Sequence, residues 1–267
     1  MIGAVLGAHR EGGFAEVLWR LRKKAGLIRR LQMRYRLGRT ITSAYGVRLA
    51  CNFGDITFGM YVRGSYGRYY WDHLSRYPDP FVFVDIGANQ GLYTLCAARN
   101  RANLACHAFE PNEGTFRLLQ ENIRLNGVEG KCRAYDLAIS SETGAADLRV
   151  NPHHSGGASL AQMNGSFGTD SASLPIRTIN HREFDHLLGE GTAPILVKVD
   201  VEGFEPTVLA ELVQSRHAGR IAEIFYEVDE AWVDPAALRG LLEQAGFTTF
   251  DRIGEGRHYD IRASRPR

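Results

Sequence analysis

Phe81 to Gly91 reads Phe-Val-Phe-Val-Asp-Ile-Gly-Ala-Asn-Gln-Gly, and no other stretch constrains the fold as tightly. An apolar, β-branched and aromatic run of strand length ends in an acid and two glycines, and a helical pattern follows at once. Strand, glycine turn and helix N-terminus, in that order, build the nucleotide pocket of open α/β sheets at the carboxyl end of a first strand. The spacing is Asp85-x-Gly87-x-x-x-Gly91, without the close first glycine pair of G-x-G-x-x-G. Close glycines let backbone N–H groups approach a pyrophosphate. A wider turn with a leading acid suits a ligand that carries an amine and no phosphate, such as S-adenosylmethionine.

With 267 residues, 44% of them hydrophobic, the chain can bury one good core. The expectation is one α/β domain over 79–267, the part that would carry the methyl donor, preceded by an extension over 1–78 made of a basic amphipathic helix and a β-hairpin. Cys51, Cys96, Cys106 and Cys132 lack C-x-x-C spacing and fall in apolar patterns, as reduced cysteines of a cytoplasmic protein do. No run approaches a membrane span, and Met1 to Ala8 lacks the charged and apolar regions of a signal peptide.

The net charge of +2 conceals an asymmetry: residues 1–39 hold ten Lys/Arg against Glu11 and Glu16, which leaves the remainder at −6. Phe14, Val17, Leu18, Leu21, Ala25, Ile28, Leu31 and Tyr35 recur at helical spacing, with most basic residues elsewhere and Gly26 as the point of interruption. The first expectation for residues 10–39 is a helix packed on the domain with its charges in water. Peripheral attachment to an anionic surface such as a membrane comes second, and nucleic acid is not expected as a partner because no basic track continues beyond this segment.

Residues 45–51 and 55–63, split by Asn52-Phe-Gly-Asp55, read as the β-hairpin. Tyr66-Gly-Arg-Tyr-Tyr-Trp71 is an aromatic cluster whose Tyr66 and Trp71 suit either a sugar-binding wall or the cap of a core. A second strand, Asn103 to Phe109, ends in Glu110-Pro111, about 20 residues beyond the glycine turn, where an acid accepts hydrogen bonds from ribose hydroxyls. Lys131 to Ile139 reads as a third strand, with Asp136 and Ala138 near its end where an adenine ring would lie. Ala146 to Val150 and Ser173 to Ile179 form a hairpin around a polar loop, whose His153, His154 and Ser159 are candidate substrate contacts.

Ile195-Leu-Val-Lys-Val-Asp-Val-Glu-Gly-Phe-Glu205 is the second informative stretch. A buried strand carrying Lys198 ends in acids around a glycine, which puts Asp200 and Glu202 on the same carboxyl edge as the first turn. Ile221 to Tyr226 forms another strand ending at Glu227 and Asp229 on that edge.

Taken together, Val84 to Gly91, Phe109-Glu-Pro-Asn112, Ala138-Ile-Ser with Gly144, Gly157-Ala-Ser-Leu160 and Val197 to Glu205 resemble the FkbM-type family of S-adenosylmethionine-dependent methyltransferases over about residues 80–230. The resemblance implies a class I methyltransferase (Rossmann-like) fold: a seven-stranded, mostly parallel sheet with helices on both faces and an antiparallel final strand. It also implies O-methylation of a small-molecule, glycan or glycolipid hydroxyl, with Asp85, Gly87, Asn89, Gly91, Glu110, Pro111, Asp136 and Ala138 on the cofactor. Asn180 stands where such families commonly have an acid.

An alcohol is a poor nucleophile at neutral pH, so a base or a metal ion must act on it. Asp200 and Glu202 are the candidates for base and substrate orientation, with Lys198 holding them. Alternatively Asp200 and Glu227 hold Mg²⁺. Rival readings are an NAD-dependent sugar oxidoreductase, disfavoured by the wide glycine spacing, and a catalytically silent cofactor- or glycan-binding protein.

Overall fold

The computed structural model describes residues 13–151, 153–160 and 172–266, and the side chains within 21–266 of that set. The start of the basic segment and the whole of the loop between Leu160 and Ala172 lie outside the described residues. In chain order the elements are α1 (Gly13–Tyr35), β1 (Thr40–Thr42), β2 (Arg48–Ala50), α2 (Ile56–Arg63), α3 (Arg68–Arg76) and β3 (Phe81–Ile86). Then follow α4 (Leu92–Arg99), β4 (Asn103–Phe109), α5 (Glu113–Leu125), β5 (Cys132–Tyr135), β6 (Ala138–Ile139), β7 (Gly144–Asn151), β8 (His154–Ser159) and β9 (Ala172–Ile179). The chain continues through α6 (His181–Leu188), β10 (Ile195–Val199), α7 (Glu205–Gln214), β11 (Ile221–Asp229), α8 (Pro235–Gln244), β12 (Thr249–Ile253) and β13 (His258–Ser264).

The main sheet has seven strands in the order β12-β13-β11-β10-β3-β4-β5. β3, β4, β5, β10 and β11 pair in parallel, and β13 enters antiparallel between β11 and β12. Residues alternate between its faces as the pleat requires. Phe81, Phe83 and Leu196 pack on one side with α4, α5, α2 and α3, while Val84, Ile86, Val197 and Val199 pack on the other with Val208, Leu209 and Leu212 of α7 and Leu238 of α8. Strands buried on both faces read as near-continuous apolar runs, which is why the central ones were visible in the sequence. The expected fold is therefore present, helices on both faces included.

Three local readings need correction. The hairpin of the extension pairs Thr40–Thr42 with Arg48–Ala50, and segment 55–63 is not its second strand but α2. Asp55 caps that helix, its side chain accepting from the Phe58 N–H, and Gly64 closes it at φ 78. These two caps, and burial of Phe58, Tyr61 and Val62 at helical spacing, outweigh the strand preference of its β-branched and aromatic residues. The third strand stops at Tyr135, and Ala138–Ile139 turns away to pair with β9 in a separate four-stranded sheet, β6-β9-β7-β8. Finally, α1 runs unbroken through Gly26. Asn180 is the N-cap of α6, its side chain accepting from the Arg182 N–H, which gives that position a local structural reason.

Candidate active site

The strand order reverses direction at β3, with β4 on one flank and β10 on the other, so the crevice of this sheet opens at the carboxyl ends of β3 and β10. A partly open cavity lies there, between the two turns and the strand ends. Gly87, Asn89, Glu110, Pro111, Ala138, Asp200 and Tyr66, all sequence candidates, line it. The rest of its wall is apolar, with Phe109, Leu137, Ile139 and Leu148 prominent, and β8 roofs it through Ser155, Gly156 and Ala158.

The two turns that meet at the crevice are held in close register. Gly87 has φ +76, and a Cβ there would fall on the Asp200 carbonyl oxygen, so the position admits only glycine. Asn89 at φ 51 and Glu202 at φ 50 are non-glycine residues in the left-handed region, one in each turn, where such conformations are usually kept for function. Gly91 does not line the cavity. At φ 88 it starts α4 with its back against Leu119.

Lys198 ties the turns together. It is the register partner of Asp85 on the neighbouring strand, so both side chains project on the same face. Its Nζ lies 3.7 Å from Asp85 Oδ1 and 3.0 Å from Asp200 Oδ2, and donates to the Gly87 carbonyl at 3.2 Å. Burial works against its charge, but Asp200 and Asp85 more than offset it, and its pKa is raised. Asp85 lies beneath the cavity and accepts from Thr94 Oγ1 at 2.6 Å. Burial raises its pKa, with Lys198 opposing. Tyr66 OH donates to Asp200 Oδ2 at 2.7 Å, and burial followed by the nearby Asp200 charge keeps that phenol protonated.

Glu110 is 7% exposed, with Oε2 accepting from the Asn89 N–H at 2.8 Å and Oε1 from the Asn112 N–H at 2.9 Å. Burial nevertheless pushes its pKa up to about 7. Beside Asp200, burial and then Glu227 and Asp200 raise Glu202 well above the carboxylate range, so it carries its proton at neutral pH. Burial likewise raises Glu227, and takes Asp260 to about 7. His258 Nε2 meets Glu227 Oε1 at 2.6 Å, and that contact pushes the imidazole up to about 9.

Other sequence candidates stand elsewhere. Asp136 pairs with Arg177 on the surface. Trp71 is buried with its ring 4.7 Å from that of Tyr45, in the core rather than on the cavity. His153 is exposed and His154 half-buried, and neither lines the cavity. Ser159 is buried and donates to the Glu202 carbonyl, joining the roof to the second turn. Sequence reasoning missed Asp260 and His258, because only the pairing Glu227↔Asp260 and Asp229↔His258 brings the last strand to this edge. It also missed Asp55 and Gln90. Their link is long-range, with Gln90 Nε2 donating to Asp55 Oδ1 at 3.0 Å, and Ser155 N–H donating to Asp55 Oδ2 at 2.7 Å.

This sheet, with its crevice and its acid-bearing strand ends, is that of the class I methyltransferases. The chain belongs to the FkbM methyltransferase family: the family's methyltransferase domain matches residues 85–249. A similar protein is Methyltransferase 1 of Beauveria bassiana, 30% identical over 188 residues, covering 65% of this chain and 75% of that protein. The hexuronic acid methyltransferase AglP of Haloferax volcanii is 31% identical over 168 residues, 63% of this chain and 64% of its own length. The 31-O-demethyl-FK506 methyltransferase FkbM of Streptomyces tacrolimicus is 30% identical over 191 residues, 62% of this chain and 72% of its own.

Proposed function

We propose that the protein is an S-adenosylmethionine-dependent O-methyltransferase that methylates a hydroxyl of a sugar, a glycolipid or a related natural product. The donor set fits that cofactor. Glu110 offers two carboxylate oxygens for vicinal ribose hydroxyls, the apolar wall of Phe109, Leu137, Ile139 and Leu148 suits a planar base, and the Gly87 turn lines the same cavity with Asp200. When bound there, the cofactor supplies an electrophilic methyl group on its sulfonium.

The observation that carries the reading is Asp200, a cavity-lining carboxylate whose Oδ2 takes hydrogen bonds from both Tyr66 and Lys198. Those bonds fix its orientation and leave Oδ1 to receive the proton of an acceptor hydroxyl. Glu202, protonated at neutral pH, orients the acceptor as a hydrogen-bond donor instead of acting as a second base. Lys198, buried between two acids, positions them. Relatives named for a hexuronic acid and for 31-O-demethyl-FK506 support hydroxyl-bearing natural products as the acceptor class.

The test is transfer of labelled methyl from S-adenosylmethionine to fractionated glycans and lipids, with mass spectrometry of the product. Asp200→Asn is expected to lower kcat about 10²- to 10⁴-fold with S-adenosylhomocysteine affinity within a few-fold of wild type. Near-normal turnover in that variant removes the base assignment. Calorimetry with S-adenosylhomocysteine against NAD separates this reading from hydride chemistry, and cofactor binding without product on any fraction would favour a silent binding protein.

A second reading has Mg²⁺ acidify the acceptor hydroxyl. It rests on Asp200, Glu202 and Glu227, whose carboxylate oxygens lie within 4.8 Å of one another. Full activity in EDTA removes it.

A further inference from the structure

Among its described side chains, residues 21–35, α1 is covered along one side. Gly26, Arg29, Gln32 and Met33 are partly covered. Met33 packs against the core, and Gln32 Nε2 donates to the Thr40 carbonyl at 3.3 Å. Each residue turns a helix by about 100°, so Leu21, Ile28, Leu31 and Tyr35 cluster on a different side. They are exposed by 47%, 50%, 44% and 59%. Four large apolar side chains gathered on one exposed stripe differ from the scattered apolar residues of an ordinary surface.

Lys24 falls within this stripe, between Leu31 and Tyr35, while Arg22, Lys23, Arg29, Arg30 and Arg34 fall outside it, and these charges identify its occupant. Between residues 21 and 39 the chain carries eight Lys/Arg, from Arg22 to Arg39, and no acid. A second copy of the helix would bring like charges together as the apolar stripes met. An acidic lipid surface instead accepts the apolar side chains at its acyl boundary and the basic ones among its headgroups. Among the described residues no helix is long and apolar enough to cross a membrane, so the fitting geometry is a helix lying in the interface.

We propose that α1 is an in-plane anchor for membranes rich in anionic phospholipid, inserting Leu21, Ile28, Leu31 and Tyr35 and ringing them with its arginines and lysines. The anchor is independent of the methyl-transfer chemistry, since no described residue of α1 lines the cavity. It brings the catalytic domain to the surface where a lipid-linked acceptor would be presented.

The test is co-sedimentation of the full chain with vesicles of phosphatidylcholine, with and without phosphatidylglycerol. Binding is expected only to the anionic vesicles and is expected to weaken as salt is added. Arg22→Gln, Lys24→Gln and Arg30→Gln should each lower the partition coefficient by about fivefold. The double variant Ile28→Asp with Leu31→Asp should abolish binding while leaving the thermal midpoint and S-adenosylhomocysteine affinity unchanged. Three results would overturn the proposal: no binding to anionic vesicles at low salt, binding that survives the double variant, or a concentration-dependent dimer that the double variant dissociates. The last would give the stripe to a second copy of the chain.

Discussion

Glu110 shows how a buried acid serves a ligand at the expense of the empty protein. Its pKa is raised by burial to about 7, above the ordinary carboxylate value, so the folded state holds a proton that the unfolded state has released. Its contribution to stability is complete below the unfolded value near 4.3 and is lost as pH rises through about 7. Glu205, which burial also takes to about 7, acts in the same direction. Hydroxyls of a ribose bind the ionised form best, so ligand affinity should move the opposite way. The thermal midpoint of the empty protein is expected to fall between pH 5 and pH 8, while S-adenosylhomocysteine affinity rises about tenfold between pH 6 and pH 8. Glu110→Gln should flatten the affinity profile and lessen the fall in thermal midpoint, of which Glu205 retains a part. An affinity profile unchanged in Glu110→Gln would show that this carboxyl does not meet the ligand. The position of Glu110 could be read from the sequence because it depends only on strand, turn and spacing. The company of Asp200 could not, since Tyr66 comes from 134 residues away and Asp260 depends on the register of the last strand.

The roof strand β8 is fastened at both ends of the cavity. Ser155 is held by Asp55, the Gly156 N–H donates to Thr57 Oγ1 at 3.0 Å, and Ser159 reaches the Glu202 turn. Asp55 therefore does three things at once: it caps α2, receives Gln90 and latches the roof. Asp55→Ala is expected to cost about 2–4 kcal/mol in urea unfolding, combining a lost cap with a buried amide left without its partner. It should also weaken S-adenosylhomocysteine binding about tenfold and speed proteolysis near residue 160. A variant that loses stability but keeps full affinity would confine Asp55 to the cap. The sequence signalled this region only as a polar loop, because β8 is half-buried and glycine-rich and has no apolar alternation of its own. Segment 55–63 misled for the converse reason. Its composition favours a strand, and only its caps and its partners across the core specify a helix.

Residues 40–78 are built into the molecule's core. Phe58, Tyr61, Val62, Tyr70 and Leu74 are buried in one cluster with Phe81, Phe83 and Leu196, and the Tyr70 ring stacks on Phe225 at 3.9 Å. His73 adds a link to Glu223 at 2.9 Å. Deleting residues 1–36 is therefore expected to leave cofactor affinity intact and a cooperative transition in place, with the thermal midpoint lowered only by the loss of Met33 and Gln32, while removing vesicle binding. Deleting 1–78 should yield an aggregating chain without a cooperative transition. A folded, cofactor-binding 79–267 fragment would show that the family-matched region is self-sufficient. The antiparallel entry of β13 between β11 and β12 has its own consequence during synthesis. Until residue 264 clears the ribosome, β12 has no neighbour and the long edge of β11 offers unpaired N–H and C=O groups to any passing strand. Of the strands described, β13 is the last to be made, and it joins β12 to the rest of the sheet and covers the exposed edge of β11.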